Sequence, residues 1–172
     1  MTLDGNWKPL ALPEVEINVS AVVVTAQQIY LSSKQGVSAY DRDTGRRLFR
    51  TRIDCVNCQT WMVMGERKLV LFTQNSGAIA EPKTAWAFAL DPTSGAVLKY
   101  LKLEATIESG WESRIPCYAD GAVFVPTDSG VVKLEPTLSS QSVLPVDKGP
   151  PCLKGDFEAV SSKPLDETET PR

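Results

Sequence analysis

Gly36-Val37-Ser38-Ala39-Tyr40-Asp41-Arg42-Asp43-Thr44-Gly45-Arg46-Arg47-Leu48-Phe49-Arg50 is the stretch on which the fold assignment turns. Val37 to Tyr40 is a short β-prone run, Asp41 to Gly45 a turn, and Arg46 to Arg50 an outgoing strand. The Asp41 carboxylate suits a turn because it accepts backbone N–H groups locally, and Gly45 suits the position that needs φ > 0. Upstream, Ile29 to Ser32 reads as the preceding strand, joined through a tight connection at Gly36. Val22 to Val24 forms a further apolar stretch, set off by a polar break.

The same order of features returns fifty residues later. Leu69-Val70-Leu71-Phe72 is a strand and Thr84 to Leu90 a second. Asp91-Pro92-Thr93-Ser94-Gly95 is the turn, and Ala96 to Tyr100 the outgoing strand. Asp91 and Gly95 stand where Asp41 and Gly45 stood, and Gln74 to Lys83 lengthens the inner hairpin. A third, abbreviated copy runs from Gly121 to Pro126 and from Val131 to Pro136, with Leu134-Glu135-Pro136 in the place of Leu90-Asp91-Pro92. It lacks the turn glycine, and its outgoing strand is poorly defined. Spacings of 44 and 50 residues match a four-stranded propeller blade, with the extra strand expected in Trp61–Met64 and Glu112–Tyr118. The competing reading is a single irregular β-sandwich whose hairpins share turn chemistry.

The first repeat resembles the pyrroloquinoline-quinone-like (PQQ-like) β-propeller repeat. In that pattern an apolar strand and a Gly step lead to an Ala-Leu-Asp-like end, a Thr-Gly turn and a closing strand ending in Trp. Here Tyr40 replaces the Leu and Phe49 the Trp, and in the second copy Tyr100 falls near the Trp place. The resemblance covers roughly residues 20–136. It implies an all-β partial propeller of antiparallel four-stranded blades, too few to close a ring. Three blades imply open apolar faces at both ends, completed by self-association or a protein partner as the favoured reading, and otherwise by further blades or by capping from the terminal segments Leu3–Val19 and Val143–Val160. The expected organisation is an N-terminal segment 1–19, three repeats over 20–136, and a largely irregular Pro/Ser-rich acidic tail over 137–172, in which Val143 to Val146 and Phe157 to Val160 are each candidates for a short strand.

Quinone-dependent dehydrogenases with this repeat use a calcium-binding set of Glu, Asn and Asp, and often a disulfide between adjacent cysteines. No adjacent pair occurs here, and the spacing of Asn75, Glu112 and Asp128 does not demand a metal. No cofactor is therefore expected. The chain has no histidine, which removes Ser-His-Asp and Cys-His catalysis and most mixed zinc sites. Carboxylates near loops, Glu108, Glu112, Asp120 and Asp128, leave a carboxylate-dependent hydrolase as a residual alternative.

Cys55-Val56-Asn57-Cys58 is the sharpest local motif. A Cys-x-x-Cys pair serves zinc binding or thiol redox, but redox chemistry normally starts at a helix N-terminus, and this pair lies between strands. Cys117 and Cys152 are single residues far apart and do not form a second pair. Buried or incidental thiols are the favoured reading for all four, ahead of a disulfide, a structural zinc site and catalytic redox. The aromatics Trp61, Trp86, Phe88, Tyr100 and Trp111 read first as core or inter-blade packing, and otherwise as a binding face, with the three tryptophans its leading candidates.

The net charge is −3, about +2 over residues 1–100 and about −5 over 101–172. Nucleic acid is an unlikely match for that distribution, because phosphate binding needs concentrated Lys and Arg. The arginines 46, 47, 50 and 52 read as a solvated edge. No run reaches membrane-spanning length and Met1 to Leu12 has no apolar signal core, so a cytoplasmic protein is expected. The functional expectation is a non-catalytic binding or scaffold module for a protein or small ligand. The alternative is a fragment or subunit of a larger propeller-containing enzyme.

Overall fold

The computed structural model describes residues 19–55, 57–75, 83–107 and 115–145. Their strands form three four-stranded antiparallel sheets, each wound in simple chain order. Sheet 1 contains β1 (Val19–Val24), β2 (Gln28–Ser33), β3 (Gly36–Asp41) and β4 (Arg47–Arg52). Sheet 2 contains β5 (Cys58–Gly65), β6 (Lys68–Asn75), β7 (Ala85–Leu90) and β8 (Val97–Lys102). Sheet 3 contains β9 (Cys117–Ala119), β10 (Ala122–Thr127), β11 (Gly130–Leu134) and β12 (Gln141–Leu144). The fold is an open, partial β-propeller. The third sheet takes its closing strand, β12, from within residues 137–172, the region expected to be irregular.

Sheet 2 is sandwiched, and its sequence says why. In β6 successive side chains point to opposite faces, and Leu69-Val70-Leu71-Phe72 is apolar at every position. Leu69 and Leu71 pack with Tyr30, Val37 and Ala39 of sheet 1. Val70 and Phe72 pack with Val123, Val125 and Val132 of sheet 3. All four are fully buried, and each such side chain is worth roughly 1.5–3 kcal/mol of transfer free energy. A strand covered on one face only would alternate polar and apolar residues. The strand with continuous apolar character is the one that must satisfy two neighbours.

The two long turns are equivalent. Gly45 and Gly95 have φ of 70° and 73°, and each donates its N–H to the carbonyl of Asp41 or Asp91, at 2.9 and 2.8 Å. The third turn is tighter. Leu138 takes the left-handed position at φ 54° and donates to Glu135 O at 2.8 Å, three residues back rather than four.

Between sheets 1 and 2 the second turn docks on the first sheet. Tyr30 Oη donates to Pro92 O at 3.1 Å and Thr51 Oγ1 to Gly95 O at 2.6 Å. Phe49 packs so closely over Gly95 that a Cβ there would lie 2.3 Å from its ring. Deeper in, the hydroxyls of Ser32 and Thr60 meet at 2.8 Å in a buried pair.

Between sheets 2 and 3 the fit is reversed. The residue of β8 paired with Ala89, as Phe49 is with Ala39, is Lys99. Tyr100, expected near that place, pairs with Phe88 instead and so lies on the opposite face. The period of two allows no other outcome for a residue one position further along. The bulk comes from the turn itself, where Leu138 is 1% exposed within the shared core, against which half-buried Leu101 also packs. Gln74, also buried, holds the connecting segment. Its Nε2 donates to Ile107 O at 3.1 Å, and its Oε1 accepts from Ile107 N at 2.5 Å.

The outward faces are less bare than three stacked blades imply. Tyr40 and Phe124 point away from sheet 2, yet they are only 1% and 7% exposed. The apolar residues left exposed on the outer sheets are small or peripheral, among them Val22, Val24 and Val143.

Candidate functional site

Of the expected aromatics, Trp61 and Trp86 lie on opposite faces of sheet 2. Trp61 pairs with Phe72 and packs toward sheet 3. Trp86 is on the face that carries Thr73, Phe88 and Tyr100. They do not form one cluster, because one is in register with the sheet 3 side of β6 and the other with the sheet 1 side. Trp111 lies outside the described residues.

Trp86 belongs instead to an open pocket of about 320 Å³, where the end of β4 leaves sheet 1 and runs toward β5. Its lining is Ile53, Asp54 and Cys55 from that connection, Thr73 from β6, Trp86 and Phe88 from β7, and Tyr100 from β8. Trp86 and Tyr100 have ring centroids 6.1 Å apart at 55°, and Phe88 and Tyr100 6.3 Å apart at 35°. The rings are splayed rather than stacked. Tyr100 is 63% exposed on the edge strand of its sheet, where no further strand covers it among the described residues. The sequence signal for the site is the alternation in β7. Small Ala85, Ala87 and Ala89 face the close-packed sheet 3 side, so Trp86 and Phe88 must face the other.

Asp54 is the one charged group among the described lining residues. Its carboxylate accepts from Arg52 Nε at 2.9 Å, with the two side chains 83% and 79% exposed. A pair so exposed is weakly held.

The Cys-x-x-Cys motif borders the same pocket through Cys55, and here the favoured thiol reading is corrected. Cys55 and Cys58 form a disulfide, with Cα atoms 5.6 Å apart, inside the range that a disulfide spans. Asn57, at φ 55°, turns the chain back between them. Cys117 is also disulfide-bonded, and there are no free cysteines among the described residues. Cys152 lies outside them.

The turn aspartates serve structure. Asp41 Oδ1 accepts from Thr44 Oγ1 at 2.6 Å, Thr44 N at 2.8 Å and Asp43 N at 3.2 Å. Asp91 Oδ1 accepts from Ser94 N at 2.8 Å, Ser94 Oγ at 3.0 Å and Thr93 N at 2.9 Å. The Thr44 hydroxyl chiefly holds the Asp41 carboxyl below the usual range, and the Ser94 backbone N–H chiefly does so for Asp91. Burial pushes the Tyr30 phenol up, with the Asp91 charge adding to it.

Asn75 and Asp128 hold the chain in place. Asn75 Oδ1 accepts from Thr84 N at 2.6 Å and Asp128 Oδ2 from Thr106 Oγ1 at 2.6 Å. Among the described residues no group of three or more His, Cys, Asp or Glu side chains is placed to hold a metal ion. Among them, too, no helix is long and apolar enough to cross a membrane. Glu108 and Glu112 lie outside the described residues.

No protein-family model matches the chain, and no curated protein matches it. Its strand arrangement is similar to that of solved structures at low identity. BamB from Moraxella catarrhalis is 14% identical over 72% of this chain and 34% of its own, with a TM-score of 0.49. The WD40 domain of SCAP from fission yeast is 12% identical over 76% of this chain and 32% of its own, with a TM-score of 0.47. Glutaminyl cyclase from Myxococcus xanthus is 12% identical over 72% of this chain and 48% of its own, with a TM-score of 0.39. The chain thus spans about a third of the length of the first two.

Proposed function

We propose that this chain is a non-catalytic binding module of PQQ-like blade type, recognising a protein or small ligand at the pocket between sheets 1 and 2. The observation that carries the reading is the trio Trp86, Phe88 and Tyr100, half-buried or exposed around a cavity of about 320 Å³ on rigid strands. Partly exposed aromatic side chains offer large contact area at low entropy cost, and they dominate recognition surfaces. The cavity falls at the small end of the range for ligand pockets. Among the described residues its lining holds one carboxylate, Asp54, and one phenol, Tyr100. The PQQ-like assignment is supported by the paired Asp-to-Gly turns and by Phe49 lying over the next blade's Gly95.

Ligand-observed NMR with a fragment library tests the reading. Hits are expected to lose binding on Tyr100→Ala, and hits indifferent to that change would overturn the pocket as the recognition site. Self-association through the outer sheets is a separate question, answered by light scattering across a concentration series. The burial of Tyr40 and Phe124 favours a monomer more than the repeat count does.

The disulfide at Cys55 and Cys58 supports an oxidising compartment rather than the cytoplasm. Thiol titration of protein isolated without reductant is expected to find these two cysteines unreactive. Reactive thiols there would return the chain to the cytoplasmic expectation.

A further inference from the structure

We propose that the pocket at Trp86, Phe88 and Tyr100 binds an organic cation, an alkylammonium or guanidinium group. The proposal rests on the binding-module reading above and names what the site takes.

Three properties of the lining select for positive charge. Aromatic faces are electron-rich and attract cations within about 6 Å of a ring centroid. Tyr100 has a second aromatic centroid on either side, at 6.1 and 6.3 Å, so a group seated beside it is in reach of more than one ring. Asp54 contributes the single formal charge among the described lining residues, and it is negative. The remaining lining side chains, Ile53, Cys55 and Thr73, are uncharged, with Cys55 held in its disulfide.

Other ligand classes fit less well. An anion would meet Asp54 and the ring faces together. A polyhydroxylated ligand needs several hydrogen-bonding groups along the walls, and the lining supplies few beyond Asp54, Thr73 and the tyrosine hydroxyl. A purely apolar ligand would gain from the rings, but it would strip water from Asp54 and its Arg52 partner without replacing those contacts.

Arg52 is the resident competitor. Its Nε lies 2.9 Å from Asp54 Oδ1, so the carboxylate already engages a cation at the pocket rim. Because both side chains are largely exposed, that partner is exchanged at little cost. Removing it is expected to strengthen binding, which no general loss of structure would do.

The test is an NMR titration with choline and its neutral isostere 3,3-dimethylbutan-1-ol, alongside a trimethyllysine-containing peptide. Choline is expected to bind at least ten-fold more tightly than the neutral alcohol. Trp86→Ala and Tyr100→Ala are each expected to weaken it by about ten-fold, the range for losing one ring from a cation–π site. Asp54→Asn should weaken it and Arg52→Gln strengthen it. Tyr100 is exposed on an edge strand, so its variant keeps the fold even where the Trp86 variant does not. A peptide that binds more tightly than choline assigns the cation to a partner protein's side chain, and equal affinity assigns it to a small molecule. Equal binding of choline and the alcohol would overturn the cation proposal and leave the binding-module reading standing. Binding of neither choline nor the peptide would also overturn the cation proposal, and the fragment screen then judges the module reading by itself.

Discussion

Gly95 is where turn geometry and inter-sheet packing impose the same requirement, so its replacement separates the two. With φ at 73°, any L-residue there occupies the left-handed region, at a cost of about 1–2 kcal/mol. A Cβ would also lie 2.3 Å from Phe49 Cδ2 and 2.4 Å from Thr51 Oγ1. Real Cβ atoms do not approach so closely, and overpacking of this kind costs about 1–3 kcal/mol. Gly95→Ala is therefore expected to destabilise by about 2–5 kcal/mol, the sum of both ranges. Phe49→Ala removes the ring and with it most of the clash. In that background Gly95→Ala should cost the conformational part, about 1–2 kcal/mol, and the Thr51–Gly95 hydrogen bond, about 0.5–1.5 kcal/mol. The hydroxyl of Thr51 swings aside by rotation about χ1 at the expense of its bond to Gly95 O. Urea denaturation of the four proteins in this double-mutant cycle measures the difference as a coupling energy. Equal costs in the two backgrounds, within about 0.5 kcal/mol, would refute the claim that the Phe49 ring dictates glycine at this position.

Asp41 and Asp91 have depressed carboxyl pKa values in the fold, so their contribution is complete above the unfolded value near pH 4 and is lost as pH falls through the folded value. Asp41→Asn and Asp91→Asn should each flatten the acid limb of stability against pH, and an unchanged limb would contradict the turn bonding. Tyr30→Phe removes the hydroxyl shared between Gln28 Oε1 and Pro92 O and is expected to cost about 1 kcal/mol by urea denaturation. The raised Tyr30 pKa makes the wild type lose stability as pH climbs past about 10, and the Phe variant should lose less there. Gln74→Leu leaves the N–H and C=O of Ile107 without their buried partner, at a cost of about 2–4 kcal/mol. Hydrogen exchange at the Ile107 amide should accelerate in that variant, and unchanged protection would show that the side chain does not hold the segment.

Strands were legible in the sequence wherever a hairpin carried its own turn chemistry. Asp41 to Gly45 and Asp91 to Gly95 announce themselves because turn residues act locally, through bonds to N–H groups two and three positions away. The closing strand of sheet 3, Gln141–Leu144, was legible only as a candidate run at Val143 to Val146, not as the end of the third repeat. Its turn is one residue tighter and places a leucine at positive φ, which no local preference predicts. The Cys55–Cys58 pairing was open for a related reason, since a four-residue motif does not say whether two thiols face each other. Trp61 and Trp86 read alike as aromatic strand residues. Which face each occupies depends on register across β5, β6 and β7, a non-local quantity.

The two inter-sheet contacts show how one blade type tolerates opposite packing. At the first, a large side chain on the outgoing strand, Phe49, requires the smallest residue in the next turn, Gly95. At the second, the equivalent strand position is an exposed Lys99, which provides no bulk between the sheets. The next turn then supplies the bulk through Leu138, buried in the core against which half-buried Leu101 packs. The volume is conserved while its source moves from strand to turn, as close packing demands of any interface without voids. This exchange also explains Tyr100. Once Lys99 holds the position facing sheet 3, the aromatic residue after it must face sheet 1. There the close contact is already completed by Phe49 over Gly95. Tyr100 is therefore surplus to packing, and with Trp86 and Phe88 it lines the open pocket instead of closing an interface.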